Sequence, residues 1–152
     1  MRILIVAIGK SKGGPEKDLL EQYAGRLPWT LDVKELNPSK DQSADVRKAR
    51  EAESMLAVVP DGSTIIALDE RGTVEGSESF ASRVGKWRDG GARTLAFLIG
   101  GADGHGEAVL KRAHHRLSLG AMTWPHMLVR GLLAEQLYRA HSILTNHPYH
   151  RA

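Results

Sequence analysis

Apolar and polar positions change period along this chain, and each change marks an element. Residues 2–8, RILIVAI, form a short continuous apolar run closed by Gly9, the pattern of a strand buried on both faces. From Pro15 the period lengthens: Leu19, Leu20, Tyr23 and Leu27 share one side of a helix that proline opens and that is predicted through Leu27. LDVKEL at 31–36 alternates as a half-buried strand does. Ser43 is placed to cap a helix over ADVRKAREAESMLAVV, with Val46, Ala49, Ala52 and Leu56 as its apolar stripe and Arg, Lys and Glu on the wet side. TIIALD at 64–69 predicts a third strand, Ser77 to Trp87 a third helix stopped by DGGAR, and TLAFLI at 94–99 a fourth strand. Glu107 to Ala113 predicts a short helix, and LSLGAMTW at 117–124 a strand running into a loop. Pro125 then starts the longest helix, HMLVRGLLAEQLYRAHSILTN, followed by the tail HPYHRA.

Strands that are apolar throughout, alternating with helices, argue for an α/β fold with a mainly parallel sheet and helices on both faces. Ligands of such sheets sit outside the carboxyl ends of the strands, here the loops after Leu68, Ile99 and Leu119. One of these loops stands out. In LIGGADGHG, residues 98–106, an apolar run ends in two glycines, an acid and two further glycines. Glycine there lets a backbone approach a ligand and offer it N–H groups, and equally suits a tight turn with positive φ.

A chain of 152 residues, 41% of them apolar, suffices for one domain over residues 1–152 with a real core. The absence of cysteine excludes a disulfide framework and a thiolate metal site and fits a reducing compartment. The apolar run from Ile3 to Ile8 is too short for a secretory signal, and no segment approaches the roughly 20 apolar residues that span a bilayer. The expectation is a soluble cytoplasmic protein with no membrane contact. Net charge is only +3, but it is unevenly placed. Residues 1–104 carry 15 Lys and Arg against 16 Asp and Glu, whereas residues 105–152 carry 6 against 2 and hold all seven histidines. A basic, His-rich end suits a polyanion such as nucleic acid.

Several familiar motifs are missing. GKS at 9–11 lacks the earlier glycine of a phosphate loop, since Leu4 stands in its place, and Gly9, Gly13 and Gly14 have the wrong spacing for a dinucleotide fingerprint. No H-E-x-x-H occurs, and the adjacent His114 and His115 would point in different directions on a helix, so no metal is expected. There is no G-x-S-x-G elbow for a serine nucleophile.

Three segments in order, LIGGADG after a strand, LSLGAMTWPHMLVRGLLAEQLYRAHSI and the terminal NHPYHR, resemble the RlmH family of small bacterial SPOUT-class methyltransferases over the whole chain. That resemblance implies transfer of a methyl group from S-adenosylmethionine to N3 of a pseudouridine in 23S ribosomal RNA, in the assembled ribosome. It also implies a homodimer and a C-terminal trefoil knot. By position it implies that Leu68, Gly100, Gly101 and the segment Leu119, Gly120, Ala121, Met122, Thr123 and Trp124 hold the cofactor, chiefly through backbone groups. Arg139, His150 and Arg151 are the implied catalytic residues, and the same three with Tyr149 the implied RNA contacts.

The sequence departs from the commoner family pattern at Ala102, where proline is usual, at Gly120, where serine is usual, and at Trp124, where leucine or phenylalanine is usual. A tail after a long helix can reach a partner's cofactor pocket, and Leu128, Leu132, Leu133 and Leu137 supply an apolar face for packing on a partner or on the chain's own sheet. Two other classes compete. A non-catalytic RNA-binding α/β module accounts for the basic end but not for the cofactor-like loops, and a doubly wound nucleotide-dependent enzyme lacks every phosphate fingerprint.

Overall fold

The computed structural model describes residues 1–151. Five strands, β1 (Arg2–Ile8), β2 (Thr30–Leu36), β3 (Thr64–Val74), β4 (Thr94–Ile99) and β5 (His115–Ser118), form one sheet in the order β2-β1-β4-β3-β5 with every pair parallel. Five helices alternate with them: α1 (Pro15–Ala24), α2 (Ala44–Ala57), α3 (Ser77–Asp89), α4 (Glu107–Arg112) and α5 (His126–Leu144).

Period-two alternation in β1 and β4 divides the core between the two faces of the sheet. Ile3, Ile5, Phe97 and Ile99 pack with Leu20, Phe80, Leu133 and Leu137, so α1, α3 and α5 cover one face. Leu4, Val6, Ile8 and Leu98 pack with Ala52, Met55 and Val109, so α2 and α4 cover the other. Both strands are central and buried on both sides, which is why they read as unbroken apolar runs. β2 is an edge strand and alternates. Ser43 caps α2 by accepting from Val46 N–H.

The tertiary structure moves several boundaries. α1 stops at Ala24, ahead of Leu27, because Gly25 and then Pro28 interrupt it, yet Leu27 still packs on the core. β3 continues to Val74 beyond a bulge, so both sides of the excursion at 69–72 pair with β5: Leu68 and Thr73 both oppose Leu117. β5 is four residues long and begins at His115, two residues before the expected start at Leu117, and the expected passage from strand to loop within 117–124 falls after Ser118. The cause is Gly120, whose φ of 110° turns the chain away from strand geometry. α5 ends at Leu144, and Asn146 closes the turn with φ 56°. The leucines of α5 divide: Leu133 and Leu137 are fully buried in the chain's own core, and Leu128 and Leu132 remain half-buried on another side.

Candidate functional site

The carboxyl ends of β3, β4 and β5 surround a cavity of about 440 Å³, within the range of small-molecule sites. Eight of the nine residues expected around a cofactor line it: Leu68, Gly100, Gly101, Leu119, Gly120, Met122, Thr123 and Trp124. Ala121 is exposed and does not line it. Ile99, Leu117 and Val129 add apolar wall, and Lys48, Asp69, Asp103, His105 and His126 add polar groups that sequence reasoning missed. A usable signal existed for His126, since the first turn of a helix entered directly from a loop at the strand ends lies beside the cavity that the loop borders.

The double glycine at 100–101 answers to the protein before any ligand. A Cβ at Gly100 would lie 3.0 Å from the Gly104 carbonyl carbon, where the loop folds back through the Gly101–Gly104 bridge. A Cβ at Gly101 would lie 2.9 Å from Oε1 of buried Glu51, whose Oε2 accepts from Ser39 N–H. Neither glycine has positive φ, so close approach of neighbouring protein atoms, and not a left-handed turn, accounts for both positions, and the loop they permit forms the cavity wall. Gly120 differs: its Cβ direction is open, and positive φ alone demands glycine.

Side chains then fix the loops. Arg47 of α2 grips Asp103 with two N–H groups, at 2.8 and 3.1 Å, and holds that carboxyl below its usual range. His105 donates from Nε2 to the Leu98 carbonyl at 3.0 Å, which leaves Nδ1 as a buried, unpartnered acceptor. Burial pushes this imidazole below its ordinary value, so it stays neutral. Ser118 Oγ accepts from Gly120 N–H at 3.1 Å and lies within donating distance of the Glu70 and Gly120 carbonyls, joining the β5 loop to the β3 excursion. Trp124 Nε1 reaches back to the Leu119 carbonyl at 3.4 Å. Among the described residues, the N–H groups of Ala121, Met122 and Thr123 donate to no protein acceptor. At the entry of α5, buried Arg130 binds Glu35 and the Gly9 carbonyl, clamping the helix to the carboxyl ends of β1 and β2. Glu35 is thereby held below its ordinary value, first by that hydrogen bond and next by the one from Ser11 N–H.

The tail forms a separate cluster. Glu135 accepts from Arg139 Nε at 3.0 Å and Nη2 at 2.5 Å, and from the Tyr149 hydroxyl at 3.0 Å. Tyr149 stacks edge-on against Tyr138 and beneath the Arg139 guanidinium. Burial, then its hydrogen bonds to Tyr23 and Glu135, push the Tyr149 phenol upward, so it stays protonated. His150 receives an N–H from Arg139 at Nδ1, 3.2 Å away, so its ring proton sits on Nε2, 3.6 Å from Glu78. Arg151 is exposed. Arg139, Tyr149 and His150 are thus brought together, but not at the cavity of the same chain. Arg139 lies ten residues past Val129, which lines the cavity, roughly 15 Å of helix.

A parallel α/β sheet with a cavity enclosed by the loops after β3, β4 and β5 defines the class, and sequence comparison agrees. The family model described as "Predicted SPOUT methyltransferase" matches residues 1–150. The chain belongs to the SPOUT methyltransferase family, and the trefoil knot is what that membership implies. Relatives over the full length carry a more specific name. The chain is 58% identical to the "Ribosomal RNA large subunit methyltransferase H" of Paramagnetospirillum magneticum, over 99% of each protein. It is 53% identical to the protein of that name in Rhodospirillum centenum, over all of both, and 51% identical to the one in Rhodospirillum rubrum, again over all of both. No helix is long and apolar enough to cross a membrane, and no group of three potential metal-binding side chains occurs among the described residues.

Proposed function

We propose that this protein is an S-adenosylmethionine-dependent methyltransferase of large-subunit ribosomal RNA, acting on N3 of a pseudouridine of 23S RNA in the assembled ribosome, in the cytoplasm. The observation that carries this reading is the cavity itself: apolar walls from Leu68, Ile99, Leu119 and Val129, with unpaired backbone N–H groups at Ala121, Met122 and Thr123 beside it. Adenine and a methionyl chain need such walls and backbone donors, and the cavity lining has no arginine or lysine cluster of the kind a triphosphate requires. When bound, the cofactor would supply an electrophilic methyl group on its sulfonium, to be taken by the pseudouridine nitrogen once that nitrogen has given its proton to a base.

The chain's own residues hold and orient. Leu68, Gly100, Gly101 and the 119–124 loop hold the cofactor, with His105 and Arg47 fixing the loop that carries the two glycines. Arg139, Tyr149, His150 and Arg151 serve the RNA. Because the Tyr149 phenol stays protonated, it donates to or stacks on a base and does not take a proton. In the packed tail the His150 Nδ1 lone pair is occupied by Arg139, so His150 must release that contact before acting as a base. Arg139 and Arg151 stabilise the anionic ring.

The roughly 15 Å of α5 between Val129 on the cavity wall and Arg139 supports a composite site, in which the tail of one copy serves the cavity of another in a homodimer. Half-buried Leu128 and Leu132 are available for that contact. The test is direct: labelled S-adenosylmethionine is incubated with ribosomes lacking the modification, and the labelled nucleotide is mapped. Label on N3 of one pseudouridine is expected. Absence of cofactor binding would favour a non-catalytic RNA-binding module.

A further inference from the structure

Next to the cofactor cavity lies an open groove of about 450 Å³, between the β3 excursion at Arg71 to Thr73 and the start of β5 at His114 to Arg116. Arg71 and Leu110 line both, so groove and cavity adjoin. The groove is one-sided in charge: Arg71, His114 and Arg116 line it, and no carboxylate does. The acids next to Arg71 in the chain, Asp69 and Glu70, line the cavity, and Asp69 Oδ1 already accepts from Arg71 N–H.

Each basic group has a defined state. Arg116 is exposed and donates one N–H to the Leu110 carbonyl at 3.2 Å, which positions its guanidinium without neutralising it. Arg71 is exposed and makes no ion pair among the described residues. Exposed His114 accepts from Ile65 N–H at Nδ1, 2.9 Å away, so its ring proton is fixed on Nε2 as a free donor. His115 is different: its Nε2 lies 2.6 Å from buried Glu75, which also binds Arg83, so its ring is already held by an internal partner and is not free to meet a phosphate. Two planar guanidinium groups and an imidazole donor, with no competing acid, match the oxygens of phosphodiesters.

We propose that this groove holds the RNA backbone flanking the methylated nucleotide, with Arg71 and Arg116 each meeting a phosphate and His114 Nε2 donating a third hydrogen bond. The inference rests on the ribosomal RNA methyltransferase reading and adds to it a surface on the β5 edge, separate from the tail. With the target base at the mouth of the cavity, beside the cofactor, the neighbouring phosphates cross the groove at Arg71.

The test uses the full-length protein and two RNA probes, ribosomes lacking the modification and a hairpin fragment of large-subunit RNA. Binding is followed through a KCl series at fixed magnesium. The double variant Arg71→Gln/Arg116→Gln should lower the slope of log affinity against log salt by about 1.4 to 1.8, for two lost phosphate contacts at about 0.7 each on single strands or 0.9 each on duplex. KM for ribosomes should rise roughly tenfold with much less change in kcat, and Arg71→Lys/Arg116→Lys should recover most of the slope. Arg116→Gln alone should retain S-adenosylmethionine affinity, since Arg116 does not line the cavity. A folded double variant with unchanged slope and KM overturns the groove. Failure of the wild type to methylate overturns the activity instead, and the slope, read from binding alone, still judges the groove.

Discussion

Glu135 is the residue on which the tail depends, and its removal separates tail geometry from cofactor binding. Its Oε1 accepts from Arg139 and from the Tyr149 hydroxyl, and Arg139 in turn reaches His150. A hydrogen bond to a charged group contributes about 1.5 to 3 kcal/mol when buried. Here the Arg139 and Glu135 side chains are 25% and 17% exposed, so solvent screening lowers the value. Loss of both contacts in Glu135→Ala then costs about 2 kcal/mol, a shift of roughly thirtyfold between packed and released tail. Glu135→Gln keeps an acceptor for Tyr149 and loses only the charge, so it should fall between. The assay pairs hydrogen exchange at 147–151 with single-turnover methylation of ribosomes. Exchange should accelerate and the methylation rate fall at least tenfold in Glu135→Ala, while S-adenosylmethionine affinity by calorimetry stays within about twofold, because Glu135 does not line the cavity. Full methylation with a demonstrably released tail would refute the reasoning, as would loss of cofactor binding in a folded variant.

Gly100→Val should abolish cofactor binding by forcing the loop off Gly104 rather than by filling the cavity, so exchange at 101–106 should rise with affinity lost; quiet exchange together with lost affinity would contradict this route. A mixed dimer of a Gly100→Val chain and a chain lacking residues 147–152 should retain one working site although neither homodimer works, and coexpression that never restores methylation would count against the composite site. Replacing Tyr149, His150 and Arg151 together with alanine should leave S-adenosylmethionine affinity nearly unchanged and sharply reduce methyl transfer, as checked by calorimetry and label incorporation. The pH dependence of stability follows from His105: its folded value lies below its ordinary 6.5, so its contribution is complete above about 6.5 and is lost as pH falls through the folded value. Urea unfolding of His105→Gln, which keeps a donor for the Leu98 carbonyl, should show a smaller loss of stability on that acid side, and identical pH profiles would exclude His105 as a source.

The sequence by itself determined the strand and helix alternation, the burial of β1 and β4 on both faces, and the composition of the loops at the carboxyl ends. These are legible because each rests on a local period or a local stop: RILIVAI, TLAFLI, the Ser43 cap, the glycines at 90 and 91. The residues that line the cavity were legible as a group for the same reason, since they lie in short contiguous segments that end strands. Contacts between residues far apart in the chain were decided only by the tertiary structure. No local pattern could reveal that Gly101 is required by Glu51, that β3 resumes pairing with β5 after the bulge, or that Arg130 clamps Glu35 and Gly9. Nor could sequence distance show that Arg139 and the tail stand a long helix away from the cavity of their own chain. A hydrophobic period reports which side of an element is buried; what it is buried against, and which polar groups must then find partners, depends on how the elements meet in space.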